Sequence, residues 1–194
     1  MKYIVTGGAG FIGSHLVDRL LKNKHNVVVI DDFSEGKWRN LPVGNKSLVV
    51  YETSILNDIG FLFENVDTVF HLAAKTRPQE SILKPISYNK ININGTVNVL
   101  NACKNNNVRR VVFMSSSSVY GEQDILPTTE EATPICMSPY ALTKLVGEHY
   151  CQLYERIYGL EFNSVRPFNV FGKRQSPGGG YAAVVPNFID MLKN

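Results

Sequence analysis

Short apolar runs alternate along the chain with polar turns and with longer segments of helical periodicity. The runs have the length of buried strands and are rich in the β-branched residues that strands favour. Strands that alternate with helices predict an α/β fold, a doubly wound parallel sheet with helices on both faces. The predicted strands span residues 2–6, 27–30, 47–51, 67–72, 108–114 and 161–165.

Apolar residues at helical spacing predict four helices, over 14–24, 81–107, 139–158 and 184–193. The second is expected to break at Pro85. The third carries an apolar stripe, which predicts either a core face or a contact between two copies of the chain. The stripe consists of Leu142, Leu145, Val146, Leu153 and Ile157.

Composition narrows the class of protein. With 194 residues, 44% of them apolar and 19% charged, the chain is long enough for one globular domain. The net charge of +3 is mild and the basic residues are scattered, which gives no support to nucleic-acid binding. We expect a cytoplasmic protein with no membrane segment, because no leader-like start or long apolar run is found. Cys103, Cys136 and Cys151 include no C-x-x-C pair, which predicts free thiols and no metal site.

The first predicted strand runs directly into TGGAGFIG, residues 6–13, and then into a predicted helix. Gly7 permits a tight turn, Gly10 lets the backbone approach a pyrophosphate, and Gly13 lets the helix pack close to the strand. The helix N-terminus would face the anion. This context predicts a dinucleotide site; a plain turn between strand and helix is the alternative.

Two acidic residues, Asp31 and Asp32, follow the second strand about 20 residues past the glycines. A carboxylate at Asp31 would accept hydrogen bonds from the adenosine ribose and repel a 2′-phosphate, so NAD is favoured over NADP. Phe33, Ser34 and Gly36 continue the turn beside the adenosine. The alternative is a solvated turn acid.

Small or polar residues follow the next strands, where a ligand crevice is expected. Ala73 and Ala74 leave room for a cofactor, whereas His71 is expected to be structural rather than catalytic. The serine cluster SSSSVYGE, residues 115–122, lies at the same edge, with a serine-rich turn as the alternative. Asn92 could reach the site, and a polar helix face is the other interpretation.

The segment SPYALTK, residues 138–144, carries the candidate base. Tyr140 and Lys144 are four residues apart and so share one face of a helix. A phenol has an unperturbed pKa of about 10, and a nearby ammonium with a positively charged nicotinamide would lower it toward neutrality. The long Gly/Pro-rich segment 166–188 is the kind of loop that tends to carry function.

Seven motifs, in this order, resemble the extended short-chain dehydrogenase/reductase family in its nucleotide-sugar epimerase/dehydratase branch. They are TGGAGFIG, DDFSEG, HLAA, NINGT, SSSSVYG, SPYALTK and RPFNVFG, and they span essentially the whole chain. Within the branch the chain looks most like UDP-glucose or UDP-N-acetylglucosamine 4-epimerases. The resemblance implies a Rossmann fold, NAD as cofactor, a UDP-sugar as substrate, and a homodimer formed through the helices of 81–107 and 139–158.

The resemblance also implies roles for individual residues. Ser116, Tyr140 and Lys144 match the catalytic trio, in which Tyr140 takes the proton of the sugar 4-hydroxyl while hydride passes to NAD. The 4-keto sugar would then turn and be reduced on its other face. Substrate contacts would come from Ser116, Tyr140 and Asn169. Cofactor contacts would come from Gly7, Gly10, Phe11, Ile12, Gly13, Asp31, Asp32, Phe33, Ser34, Gly36, Ser54, Ile55, Leu72, Ala73, Ala74, Asn92, Ser115, Tyr140, Lys144 and Phe168.

Other activities of the branch match less well. Its 4,6-dehydratases carry an acidic pair where Ser117 and Ser118 stand, and its decarboxylases usually carry Glu at the second position, so both are disfavoured. A UDP-uronate 4-epimerase stays open. A non-catalytic NAD(P)-sensing regulator and a truncated, inactive NAD-binding module are rivals from other classes.

Two positions depart from the family pattern. Ser54 stands where an acid usually touches the adenine, and Pro167 replaces an aromatic residue. Family members continue with another strand and a mostly helical lobe that closes over the sugar nucleotide, so the resemblance implies a truncated chain. We expect an NAD-binding domain with the catalytic residues over 1–166, and only the start of a substrate-binding region over 167–194.

Overall fold

The computed structural model describes residues 1–175 and, beyond them, residues 185, 188, 191 and 192. Most of the helix predicted over 184–193 therefore lies outside the described residues. All six predicted strands are present, with ends shifted by no more than two residues. The strands are β1 (Lys2–Thr6), β2 (Asn26–Asp31), β3 (Leu48–Glu52), β4 (Thr68–His71), β5 (Arg110–Met114) and β6 (Glu161–Val165).

The strands form one parallel sheet in the order β3-β2-β1-β4-β5-β6. The chain winds outward from β1 to β3, returns to place β4 beside β1, and winds outward again to β6. This order confirms the predicted doubly wound α/β fold. The direction of winding reverses between β1 and β4, where Thr6 is paired with His71. Ligands of such sheets bind at this switch point, outside the carboxyl ends of the strands.

Alternate residues of the strands supply two cores, one on each face of the sheet. Ile4 belongs to the core covered by α4 and α5, whereas its neighbour Val5 packs on the α1 side. Burial on both faces explains why the inner strands β1, β2 and β4 read as apolar runs, whereas the edge strands β3 and β6 are largely exposed. The helices are α1 (Phe11–Lys22), α2 (Pro78–Leu83), α3 (Pro85–Tyr88), α4 (Gly95–Asn105) and α5 (Pro139–Tyr158).

The single helix expected over 81–107 is divided more finely than predicted. Pro85 ends α2, as expected from its missing N–H group, and opens the short α3. A π-helical segment, Asn89–Asn94, then leads into α4. Segments of this kind are rare and occur often at functional sites.

The glycine turn after β1 is tightly packed. Gly7 has a φ of 68°, a conformation that favours glycine, and a Cβ there would lie 2.8 Å from the backbone nitrogen of Ala73. A Cβ on Gly13 would overlap the carbonyl oxygen of Gly7. The first turn of α1 can therefore rest directly on the loop.

The buried side chain of His71 joins β1 to β4. Its Nδ1 lies 2.7 Å from Thr6 Oγ1, and its Nε2 lies 2.9 Å from Thr96 Oγ1. The Thr96 hydroxyl donates to the carbonyl of Asn92, so it accepts from Nε2–H, and the tautomer is fixed. The Thr6 hydroxyl donates to Nδ1 and accepts from the two backbone N–H groups that follow His71. Burial, reinforced by the charge of Lys144, lowers the pKa of His71 to about 3.

The same chain of hydrogen bonds continues into α5. Asn92 Nδ2 donates to Thr143 Oγ1 at 3.0 Å, and that hydroxyl donates to the carbonyl of Tyr140 at 2.7 Å. Asn92 also bonds the backbone N–H and carbonyl of Lys75. With 2% of its surface exposed, Asn92 is not on a solvated polar face, so that interpretation is wrong. The turn after β4 and the helix of Tyr140 are held by one side chain.

We expect Gly13→Ala to destabilise the fold, because the new Cβ meets backbone atoms of Gly7 and Gly8. Overpacking of this kind costs about 1–3 kcal/mol. Urea denaturation measures the change in the free energy of unfolding. Gly60→Ala is the matched control, since the nearest atom to its Cβ is a side-chain oxygen at 3.7 Å. Equal losses in the two variants would contradict the packing described for the turn.

We also expect His71 to make stability depend on pH. Its pKa of about 3 in the folded chain lies below the ordinary value of 6.5, so the unfolded chain binds the extra proton between these values. Stability is full above pH 6.5 and falls by about 2 kcal/mol from this group on going to pH 5.

Urea denaturation above pH 6.5 and at pH 5 checks this expectation. The comparison is with His71→Gln, which keeps one donor and one acceptor but does not titrate. The variant should lose less stability in acid than the wild type. Nitrogen NMR of the ring should give a neutral, Nε2-protonated imidazole at pH 5. A ring that takes up its proton near pH 6.5 would contradict the buried network.

Candidate active site

The helix that follows the glycine turn begins with free donors. Gly10 is the N-cap of α1 and makes no side-chain hydrogen bond to the backbone N–H groups of the first turn. That turn, over residues that the structure describes, contains no acidic residue. The backbone N–H groups of Phe11, Ile12 and Gly13 therefore lie at the positive end of the helix dipole. Backbone donors with that charge are suited to a pyrophosphate.

Asp31 ties the glycine turn to the turn after β2. Its Oδ2 accepts from the N–H of Ala9 and its Oδ1 from the N–H of Phe33, both at 2.9 Å. Burial raises the pKa of Asp31, and these two hydrogen bonds oppose that change. Each oxygen keeps one lone pair, so the carboxylate could still accept from ribose hydroxyls.

Asp32 has a different role from its neighbour. It is exposed, and its Oδ1 accepts from the backbone and hydroxyl of Ser34. Gly36 lies close to Asp31, because a Cβ there would be 2.7 Å from Oδ1. Asp31 and Asp32 are thus adjacent in sequence, but their carboxylates hold separate parts of the turn.

Two residues of this region carry no motif and were missed by sequence reasoning. Trp38 stacks on Phe33 with ring centroids 4.4 Å apart, and Asn40 Nδ2 donates to the carbonyl of Ala9 at 2.8 Å. A lone tryptophan or a buried asparagine in a turn gives no sequence signal for such contacts. Together they fold the turn back onto the glycines.

The residues after β3 contribute mainly backbone order. Ser54 Oγ accepts from the N–H of Leu56 at 3.3 Å, and the side chain of Ile55 lies in the core, against Gly95. Contact of Ser54 and Ile55 with a cofactor stays a prediction.

The helix of Tyr140 is fixed at its start by two serines. Ser138 Oγ accepts from the N–H of Ala141 as the N-cap. Ser81, fully buried in α2, accepts from the N–H of Tyr140 at 3.0 Å. No motif pointed to Ser81, because its partner lies 59 residues away.

Tyr140, Ser116 and Lys144 meet at the carboxyl end of β5. Tyr140 is 7% exposed, and burial raises the pKa of its phenol while Ser116 opposes the rise. The Tyr88 ring packs edge-on with its centroid 6.4 Å away. Ser116 Oγ also accepts from the N–H of Ser118. The candidate base is thus held in a site largely closed to water.

The ammonium of Lys144 is anchored by the end of β5. Its Nζ donates to the carbonyl of Met114 at 2.7 Å and lies 5.2 Å from the centroid of the Phe113 ring. Burial lowers the pKa of Lys144 to about 8. In the chain itself burial raises the phenol pKa of Tyr140, and the lowering expected from Lys144 together with a nicotinamide stays a prediction.

Ser115 lies beside Ser116 but its hydroxyl is engaged elsewhere. It donates to the carboxylate of Glu148, which is also held by the guanidinium of Arg166. Burial opposes ionisation of Glu148, yet hydrogen bonds from Arg166 and Ser115 keep its pKa below the ordinary value. A cofactor contact of Ser115 through its side chain would have to compete with this acceptor.

The segment after β6 passes over the same edge of the sheet. Phe168 is 67% exposed and stacks on Tyr120, and Asn169 is exposed beside it. Ala73 and Ala74, half-buried after β4, add little bulk to this edge, and the N–H groups of Leu72 and Ala73 are bonded to Thr6.

Residues 172–174, which we call the strap, then fold back onto α1. The carbonyl of Lys173 lies 2.9 Å from His15 Nε2, and Arg174 pairs with Asp18 at 2.6 Å. The segment from the end of β6 to the strap thus runs along the edge of the sheet to the helix whose N-terminus would meet the pyrophosphate.

Comparisons with known proteins agree with this geometry. A family profile described as the NAD dependent epimerase/dehydratase family matches residues 3–194. The chain is 40% identical over 198 residues to a UDP-glucose 4-epimerase of Mycolicibacterium smegmatis, which covers 99% of this chain and 63% of that protein.

Two solved structures are similar over most of the chain. One is a UDP-N-acetylglucosamine 4-epimerase from Methanobrevibacter ruminantium M1 in complex with UDP-N-acetylmuramic acid. It has a TM-score of 0.96 and 41% identity, and the match covers 100% of this chain and 63% of that one. The other is a Thermus thermophilus UDP-glucose 4-epimerase in complex with NAD, with a TM-score of 0.87 and 36% identity over 94% of this chain and 60% of that one.

The chain spans about 63% of the length of the first two of these relatives. None of its helices among the described residues is long and apolar enough to cross a membrane. The predicted cofactor, NAD, is confirmed at the level of the family. The matched profile, the shared fold and the identities together establish that the chain belongs to the NAD dependent epimerase/dehydratase family.

Proposed function

We propose that the protein to which these residues belong interconverts UDP-sugars that differ in configuration at C4. One observation carries the proposal: the buried Tyr140, whose phenol pKa is lowered by Ser116 against the effect of burial and which is followed one helical turn later by Lys144, lies at the edge of the sheet that carries the glycine turn. The substrate class is supported by the relatives named above, which are 4-epimerases of UDP-glucose and UDP-N-acetylglucosamine.

The residues of the chain fit NAD. The uncapped start of α1 would hold the pyrophosphate, and Asp31 would hold the adenosine ribose. Lys144 would hold the nicotinamide ribose, and Phe168 would lie near the nicotinamide. NAD, when bound, supplies the hydride acceptor and a fixed positive charge.

Tyr140 would then move one proton. Its Oη accepts the proton of the sugar 4-hydroxyl as the C4–H bond breaks, and returns it after the 4-keto sugar has turned in the pocket. Ser116 Oγ holds the same hydroxyl, and Asn169 contacts the sugar nucleotide. Because burial alone raises the phenol pKa, the positive charges of Lys144 and of the cofactor are what would favour the phenolate.

A 4-epimerase is favoured over the other reactions of the branch. Elimination of water across C5 and C6 needs an acid and a base, and Ser117 and Ser118 can supply neither at neutral pH. A UDP-uronate as the substrate of the same 4-epimerisation stays open. We assign residues 1–166 to NAD binding and catalysis and 167–194 to the start of the substrate-binding region.

Activity of the full-length parent on UDP-glucose, UDP-N-acetylglucosamine and UDP-glucuronate tests the proposal. In the active form, Tyr140→Phe should reduce turnover by a factor on the order of 10²–10⁴, the usual contribution of general acid–base catalysis. NAD content should stay at the wild-type level, because the phenol does not hold the cofactor in this scheme. Near-normal turnover in the variant would sink the assignment.

We further propose a homodimer formed through α5 and the helices of 81–107. Leu142, Leu153 and Ile157 of the predicted stripe are 52%, 38% and 56% exposed, so they are not part of the described core. Apolar residues repeated along one helix face are typical of an interface between copies. A cytoplasmic location belongs to the same proposal, since Cys103, Cys136 and Cys151 are free thiols, as expected in a reducing compartment.

Leu153→Glu should convert the dimer to a monomer, because it places a charge within the apolar stripe. Sedimentation velocity measures the mass. Val43→Glu is the matched control: Val43 is 72% exposed, away from α5, and the same charge there should leave the dimer intact. A monomeric wild type, or a dimeric Leu153→Glu, would contradict the interface.

A further inference from the structure

A buried ion pair lies one helical turn beyond Lys144. Glu148 is 4% exposed, and the side chain of Arg166 is 20% exposed. The guanidinium meets the carboxylate with two hydrogen bonds, Nε to Oε1 at 2.9 Å and Nη2 to Oε2 at 2.6 Å. This bidentate geometry is more directional than a point charge, because the planar fork fixes the orientation of both groups.

On one side the pair holds the serine segment. The Ser115 hydroxyl donates to Glu148 Oε1, and Ser115 directly precedes Ser116. The backbone on either side of Arg166 is bonded to the same segment: Ser115 N–H donates to the carbonyl of Val165 at 2.8 Å, and Ser117 N–H to that of Pro167 at 3.1 Å. Ser116 thus lies between Ser115, which is held by Glu148 and Val165, and Ser117, which is held by Pro167.

On the other side the pair supports an aromatic stack. The guanidinium carbon of Arg166 lies 4.8 Å from the centroid of the Tyr120 ring. Tyr120 stacks in turn on Phe168, with centroids 6.2 Å apart and an interplanar angle of 20°. The stack gives the exposed Phe168 a support inside the fold.

We propose that Glu148 and Arg166 are positioning residues, which fix Ser116 and Phe168 relative to Tyr140. The inference rests on the proposed function, in which the serine and Phe168 flank the reacting sugar and nicotinamide. The Glu148–Arg166 pair acts on Ser116 and Phe168 indirectly, through the Ser115 hydroxyl and through the ring of Tyr120. A lysine at 166 would keep the charge but lose the fork and its planar stacking surface.

The test uses the full-length, NAD-loaded parent and four variants. Arg166→Lys keeps the charge, Arg166→Met removes it, and Glu148→Gln with Arg166→Met removes both charges so that neither is left buried alone. Arg110→Lys is the matched control. Arg110 makes two hydrogen bonds to Glu161 between β5 and β6, the same two strands, at the opposite edge of the sheet.

We expect Arg166→Met to lower kcat by a factor on the order of 100, since misplacement by about 1 Å has that effect. The substrate KM and the NAD content should stay within about twofold, and Arg166→Lys should restore part of kcat. Arg110→Lys should keep wild-type kcat, because exposed ion pairs contribute little. A kcat loss that only follows the loss of folded, NAD-loaded protein would overturn the inference.

A second readout needs no turnover. The ionisation of Tyr140, measured as an ultraviolet difference against Tyr140→Phe in each NAD-loaded background, should shift upward in pH in Arg166→Lys. The reason is that Ser116, which lowers the phenol pKa, is held less firmly beside Tyr140. The titratable groups packed nearest the phenol, Tyr88 and Lys144, are the same in every variant.

The two readouts separate the inference from the proposed function. If the wild type converts no UDP-sugar while the Tyr140 titration still shifts in Arg166→Lys and not in Arg110→Lys, the proposed function fails and the positioning role stands. If the titration does not move in Arg166→Lys, the positioning role is overturned whatever the activity.

Discussion

The neutral ring of His71 is the constraint on which the edge of the sheet depends. One nitrogen accepts from Thr6 at the end of β1, and the other donates to Thr96 at the start of α4. A charged ring would have two donors, so the two acceptor lone pairs of the Thr6 hydroxyl could not serve the ring N–H and both backbone N–H groups after β4. Leaving buried groups unpaired costs about 1–3 kcal/mol each. The positions of the glycine turn and of the helix of Tyr140 therefore depend on one uncharged side chain.

Two buried acids serve this edge in opposite ways. Asp31 is held by two backbone N–H groups, each of which uses one lone pair, and it remains able to bind a ligand hydroxyl. Glu148 is held by a guanidinium and a serine hydroxyl, which use its acceptor capacity within the protein. The carboxylate of Asp31 thus keeps free acceptors where a ligand is expected, whereas that of Glu148 uses its acceptors within the protein, where the fold needs rigidity.

Much of this could be predicted from the sequence. The strands were predicted because burial on both faces requires continuous β-branched runs, and Tyr140 and Lys144 because a spacing of four places them on one helix face. The π-helical segment could not be predicted, since the apolar spacing of 89–94 continues that of the flanking helices. Nor could the partners of Asn92 and Ser81, which lie 51 and 59 residues away. The direction of the Tyr140 pKa depends on burial, which no local pattern specifies.

The strap differs from every other contact at this edge in its reach. Its contacts with α1 join residues that are 156 and 158 positions apart in sequence, so they close the longest loops at the site. No strand depends on it, because the sheet is paired without it. Release of the strap would therefore break its contacts with His15 and Asp18 while every strand pair stays intact. The contacts that hold the sheet are thus separate from those that hold the strap on α1.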